Sequence, residues 1–243
     1  MSAITNNAAN RSLLARRRRR DLCRRGWIER IVDESKRIAK SLRGCSRAEL
    51  GEHTRRLRQS IMSDTDVHDT RVLALAAAAV IEATRQALGL TFFDVQLHAG
   101  VIVSRGAVAE MQTGEGKTLS MTLPAYLHAL AGRGVHVATP NSYLAKRDQQ
   151  TLAPVYALLG MSSGLLEEDA TPEQTRAAYR ADITYGPGHA FGFDYLRDQL
   201  TLDQWNSAKL GDRLYSRLLG ERAETQLLQR GLFASVIDEI DHV

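Results

Sequence analysis

From Leu22 to Leu88 the apolar residues recur at helical spacing. Trp27, Ile28, Ile31, Val32, Ile38 and Leu42 fall on one face of a first helix, and Gly44 ends it. Ser46 with Glu49 three residues later has the form of a capping box and opens a second helix over Arg47–Met62. A third helix runs from about Val67 to Ala87 and stops at Gly89. Its most apolar stretch, Val72–Ala83, is Ala-rich and about three turns long. That predicts a buried helix, since a membrane span needs ~18 or more consecutive apolar residues.

After Gly89 the pattern changes, and short β-branched or apolar runs alternate with helical segments. Val101–Val103, Val108–Met111, Val135–Thr139, Ser162–Leu165, Ile183–Tyr185 and Ser235–Asp238 read as strands. Leu119–Leu130, Leu144–Leu159, Ala170–Arg180 and Phe193–Leu200 read as helices between them, and Asp203–Arg230 reads as a polar helical insertion. Strand alternating with helix predicts an α/β fold with a mostly parallel sheet covered by helices on both faces. A helical N-terminal region precedes it.

Charge changes this picture at one end. The chain of 243 residues carries a net charge of only +4, yet residues 1–60 hold 17 Lys/Arg against 6 Asp/Glu. Much of the surplus is the run Arg16–Arg20 with Arg24 and Arg25, in a polar segment that reads as a disordered basic tail over residues 1–20. Such a block attracts anionic lipid, nucleic acid or acidic protein surfaces, and charge alone does not choose among them. The first helix is itself basic and amphipathic, a form that suits either a membrane surface or packing against the rest of the protein. Met1–Asn10 lacks the apolar core of a secretory signal, so a cytoplasmic protein is expected. Cys23 and Cys45 stand apart and the seven histidines are scattered, which supports neither a disulfide framework nor a zinc site.

The chemistry lies in Thr113-Gly114-Glu115-Gly116-Lys117-Thr118, between an expected strand and an expected helix. Glycines there let backbone N–H groups turn toward phosphate oxygens, and a helix N-terminus adds positive potential at the same point. Lys117 is expected to neutralise the β- and γ-phosphates and Thr118 to ligate Mg2+. Met111 stands where the strict phosphate-loop pattern has a glycine. About 120 residues downstream, Val236-Ile237-Asp238-Glu239 is an apolar strand ending in two carboxylates, at the sheet edge where ligands gather in open α/β folds. Asp238 is expected to hold the Mg2+ and Glu239 to orient or deprotonate an attacking water.

A series of strings is more specific. Phe93-Asp94-Val95-Gln96, Ala109 through Thr118, Leu123-Pro124-Ala125-Tyr126-Leu127 and Gly134-Val135-His136-Val137 come first. Asn141 through Asp148, Ala181 through Gly186, Phe191 through Asp198, Gln229 through Leu232 and Asp238 through Asp241 follow in order. This series resembles the first nucleotide-binding domain of the SecA family of preprotein-translocase ATPases over roughly Thr91–Val243. The Gly192-Phe193-Asp194-Tyr195-Leu196-Arg197-Asp198 string distinguishes it from general superfamily 2 helicases. That family also carries methionine where Met111 stands. It differs at Gln112, where an arginine is usual, at Ser142, at Gly186 through Ala190 and at His242.

The resemblance implies a P-loop, RecA-like sheet over residues 90–243, an incomplete nucleotide-binding domain after a helical region over 21–89. It implies ATP and Mg2+ as ligands, with Gln96 reading the adenine amino edge, Phe93 packing beside the base, and Arg147 either approaching the phosphates or bracing the core. Preproteins and the translocon are the implied partners, at the cytoplasmic face of the membrane. The family's second motor domain, which would supply a transition-state arginine, does not follow Val243 in this sequence. ATP binding with little turnover is therefore expected. A nucleic-acid-dependent helicase-like ATPase is the alternative, disfavoured because no aromatics interleave the basic run. A non-catalytic nucleotide-binding interaction module is the other.

Overall fold

The computed structural model of the chain describes residues 25–63, 66–207 and 227–240. The basic run Arg16–Arg20, most of the expected insertion and Asp241 lie outside the described residues.

Three helices open the described chain: α1 (Arg25–Ser41), α2 (Arg47–Met62) and α3 (Thr70–Leu88). The α2 capping box forms as expected. The Glu49 carboxylate accepts the Ser46 backbone N–H at 2.7 Å, and the Ser46 hydroxyl accepts the Glu49 N–H. The stretch Val72–Ala83 lies in α3 and is largely buried. Its small side chains let α1 and the helices of the α/β region approach a helix that is apolar nearly all round. Among the described residues no helix is long and apolar enough to cross a membrane.

Next come α4 (Asp94–Ser104), α5 (Lys117–Ala129), β1 (Val135–Thr139), α6 (Ser142–Leu158), β2 (Ser163–Leu165) and α7 (Pro172–Arg180). They are followed by β3 (Ile183–Pro187), α8 (Gly188–Ser207) and β4 (Ala234–Ile237). The strands form one parallel sheet in the order β2-β3-β1-β4. Val135 stands opposite Ile183 on one side and Ala234 on the other. This is the α/β architecture expected, with helices on both faces.

Two of the expected strands do not form. Val101–Val103 lies inside α4, because Leu97 and Val101 repeat at four-residue spacing and both bury toward the core. Val108–Met111 alternates between exposed and half-buried positions, but no described residue forms a ladder with it. A strand is defined by its neighbour's hydrogen bonds, which the alternation alone does not supply. Within the expected insertion, α8 runs on to Ser207, while 227–233 is irregular.

Alternate residues of the central strands serve opposite faces. Val135, Val137, Ile183, Tyr185 and Val236 belong to one apolar cluster that reaches back through α6, α5 and α3 to Trp27 of α1. His136 and Thr184 face the other way. The His136 ring stacks on Phe191 with centroids 4.6 Å apart and meets Tyr179 at 5.4 Å, and the Thr184 hydroxyl donates to the Ala178 carbonyl. A small cluster of Leu166, Ala178 and Tyr179 completes that second face. The helical N-terminal region shares the large core and is tied to the sheet by polar contacts. Arg58 of α2 pairs with Asp182 at 2.5 Å, just before β3, and the Thr54 and Tyr126 hydroxyls bond at 2.8 Å.

Candidate nucleotide-binding site

The phosphate-loop residues form a turn that leads directly into α5. Gly114 and Gly116 both have left-handed backbones, with φ of 91° and 83°. At Gly116 a side chain is excluded twice over. The conformation disfavours a Cβ, and a Cβ there would stand 2.3 Å from Gln96 Nε2. The helix begins at Lys117, so its first-turn N–H groups and its positive dipole end face the loop. Gly100 lets α4 lie close under this helix, since a Cβ there would meet the Ser120 carbonyl at 2.9 Å. The loop therefore rests on a rigid base, as a phosphate cradle requires.

Gln96 is 5% exposed and holds the loop from below. Its Nε2 donates to the Glu115 carbonyl at 2.9 Å, and its Oε1 accepts the Phe93 backbone N–H at 3.1 Å. Both ends of the amide are thus engaged within the protein. Phe93, at the start of α4, is 71% exposed beside it. The Glu115 carboxylate turns back to accept the Gln112 N–H at 2.7 Å, which closes the loop on itself.

The acidic pair lies at the C-terminal end of β4, where α5 packs against that strand. The Asp238 N–H donates to the Ala138 carbonyl at 2.9 Å, extending the ladder by one residue and fixing the pair next to β1. Asp238 is buried, and burial raises its affinity for a proton, with Glu239 and Asp148 adding to the effect. The Lys117 ammonium acts in the opposite direction. Thr118 and Asp238 offer oxygen donors, the kind that a hard divalent cation such as Mg2+ takes. Glu239 has φ of 51°, the one left-handed non-glycine residue among those described.

Arg147 of α6 directs its guanidinium at its neighbour Asp148, with Nε and Nη2 both 2.8 Å from the carboxylate. Asp148 is 3% exposed and close enough to influence Asp238, Tyr156 and Tyr185. Sequence reasoning gave Asp148 no role. The available signal was its register, because Ala145, Asp148, Leu152 and Val155 form one buried stripe on α6. A carboxylate on an apolar stripe needs a partner, and Arg147 supplies it.

A closed phosphate loop, a helix N-terminus behind it and a buried carboxylate at the end of a parallel strand define a P-loop nucleotide-binding fold. The SecA DEAD-like domain family matches residues 11–243, and the chain belongs to that family. It is 40% identical over 216 residues to a protein translocase subunit SecA of Rubrobacter xylanophilus, covering 89% of this chain and 22% of that protein. A protein translocase subunit SecA of Carboxydothermus hydrogenoformans is 42% identical over 197 residues, which is 81% of this chain and 20% of the relative. A protein translocase subunit SecA 2 of Geobacillus thermodenitrificans is 39% identical over 214 residues, 88% of this chain and 24% of its own length. The chain thus spans about a fifth to a quarter of the curated relatives it matches.

Proposed function

We propose that this chain is the ATP-binding part of a SecA-type motor that drives protein export. The observation that carries this reading is a phosphate loop with left-handed glycines leading into a helix at Lys117, together with a buried carboxylate, Asp238, at the end of a parallel strand against which that helix packs. In this reading Lys117 and the loop N–H groups hold the phosphates, Thr118 and Asp238 hold Mg2+, and Glu239 orients water. Bound Mg2+ would offset phosphate charge and act as a Lewis acid on the phosphoryl oxygens. Gln96 and Phe93 flank the place of the base. To meet adenine's donor and acceptor edge, the Gln96 amide exchanges one or both of its present hydrogen bonds. Arg147 acts through Asp148, keeping that buried carboxylate paired.

Preproteins, the translocon and the cytoplasmic face of the membrane are the proposed partners and setting, carried by the relatives' names and by the SecA-type strings. An anionic surface for the basic N-terminal residues belongs to the same proposal. Turnover by these 243 residues in isolation is proposed to be slow, because they span only about a fifth to a quarter of the translocase subunits they resemble.

Calorimetric titration with Mg-ATP, Mg-ADP and Mg-GTP, beside a phosphate-release assay, tests the reading. Adenine-selective binding with little release is expected. Lys117→Ala should weaken Mg-ATP binding by about a hundredfold, the scale of a lost charge-assisted contact to phosphate. Glu239→Gln should bind ATP as the parent does and remove residual hydrolysis. Parent-like ATP affinity in Lys117→Ala would refute the phosphate-loop assignment. Stimulation by RNA and not by anionic vesicles would favour the helicase-like alternative.

A further inference from the structure

β4 carries the acidic pair, yet it is a short edge strand of the sheet. Its one described ladder is with β1, over four residue pairs, and of its residues Val236 alone is buried. The chain that leads into it, residues 227–233, has no regular structure. Its placement comes from α8 instead. Asp198, 6% exposed, accepts the backbone N–H of Leu228 at 2.7 Å and that of Gln229 at 2.8 Å, one on each carboxylate oxygen. The Gln229 side chain donates to the Phe191 carbonyl at 2.8 Å and to the Tyr179 hydroxyl at 3.3 Å. That hydroxyl donates in turn to Asp194. Arg230 reaches the Arg180 carbonyl, and Arg133 lies over the Phe233 ring.

A carboxylate has two oxygens with lone pairs to spare, so one buried Asp can hold two successive N–H groups and fix both the position and the direction of a chain. Two such bonds just ahead of a short edge strand set where that strand starts. They thereby set where it ends.

We propose that Asp198 is a positioning residue for the acidic pair, holding the entry of β4 so that Asp238 is fixed against the end of β1. The proposal rests on the nucleotide-binding reading above. Asp198 acts on the site through the register of β4 against β1. Its role is that of an outer support for a metal-binding carboxylate, where substitution lowers metal affinity by about ten- to a hundredfold.

Asp198→Asn tests this, because it keeps the shape and one acceptor oxygen while replacing the other with a donor that opposes an N–H. Two readouts are needed. ATP affinity is measured with Mg2+ and with EDTA, and hydrogen exchange of the Asp238 amide is measured without nucleotide. The variant should lower the ratio of Mg-ATP to metal-free ATP affinity by about tenfold, leave metal-free affinity unchanged, and lose protection at Asp238. Asp194→Asn serves as the comparison, since Asp194 contacts Tyr179 and Arg197 but no backbone of the β4 entry. It should leave the ratio as in the parent.

An unchanged ratio with unchanged Asp238 protection overturns the proposal. So does an equal loss of affinity with and without Mg2+, which is the mark of a merely structural residue. Asp198→Glu covers the case in which the Asn variant does not fold, and should shift the same ratio by less. If the parent chain binds no ATP, the nucleotide-binding reading fails, while the exchange measurement still decides whether Asp198 holds the strand.

Discussion

The two faces of the sheet are held by different forces. On one, Val135, Val137, Ile183 and Tyr185 close over a continuous apolar core shared by α1 to α6. On the other, His136 and Thr184 meet α7 and α8 through a few apolar contacts and a chain of directional bonds through Tyr179, Asp194, Gln229 and Asp198. Apolar burial contributes about 25 cal/mol per Å² and has no preferred direction, so the first face stabilises without dictating where any one atom sits. A buried hydrogen bond contributes only about 1 kcal/mol net but is strict in geometry. The face that contributes least to stability is therefore the one that governs placement, and it borders the strand that carries the acidic pair.

Three experiments sharpen or break this contrast. Leu152→Ala opens a cavity in the large core and should cost roughly 2–5 kcal/mol in urea unfolding. A loss below 1 kcal/mol would mean that the core repacks freely there. Next in size is a polar pair sunk in that apolar face, the Tyr156 and Tyr185 hydroxyls at 2.8 Å. Tyr156→Phe strands the Tyr185 hydroxyl and should cost about 1–3 kcal/mol, while the double Phe variant should recover part of the loss. Strict additivity of the two single losses would show that the hydroxyls do not depend on each other.

The smallest effect is on the second face. Burial, with Arg230 adding its charge, lowers the His136 pKa from 6.5 to about 4. The unfolded chain then binds a proton that the folded one refuses, so stability falls as pH drops from about 6.5 toward 4. Between pH 7 and pH 5.5 this should cost the parent on the order of 1 kcal/mol, and His136→Phe should remove that part of the decline. Thermal melts across this range give the answer, and identical pH profiles would show that His136 is not the titrating group.

Local chemistry was legible in the sequence where partners lie close along the chain. The Ser46–Glu49 box and the run of Val236 into Asp238 act over a few residues and form as read, and Gly114 and Gly116 take the left-handed backbone that a tight loop needs. Val108–Met111 was misread as a strand because its alternation reports exposure and carries no information about a neighbour to bond with. Asp198 was visible only as a letter in a motif. Its partners stand 30 and 31 residues away, and no periodicity marks a side chain whose acceptors are filled by distant backbone. Arg147 was left between two roles for the related reason that Asp148's burial depends on tertiary packing.

Glu239 carries a separate consequence. A residue with a Cβ in the left-handed region is under strain of order 1 kcal/mol, which glycine would relieve. Selection for robustness alone would push this position toward glycine and erase the carboxylate. On the proposed role of Glu239, any lineage that hardens the fold while keeping the second acid must find its gains elsewhere, and the end of β4 is then a place where durability and chemistry pull the sequence in opposite directions.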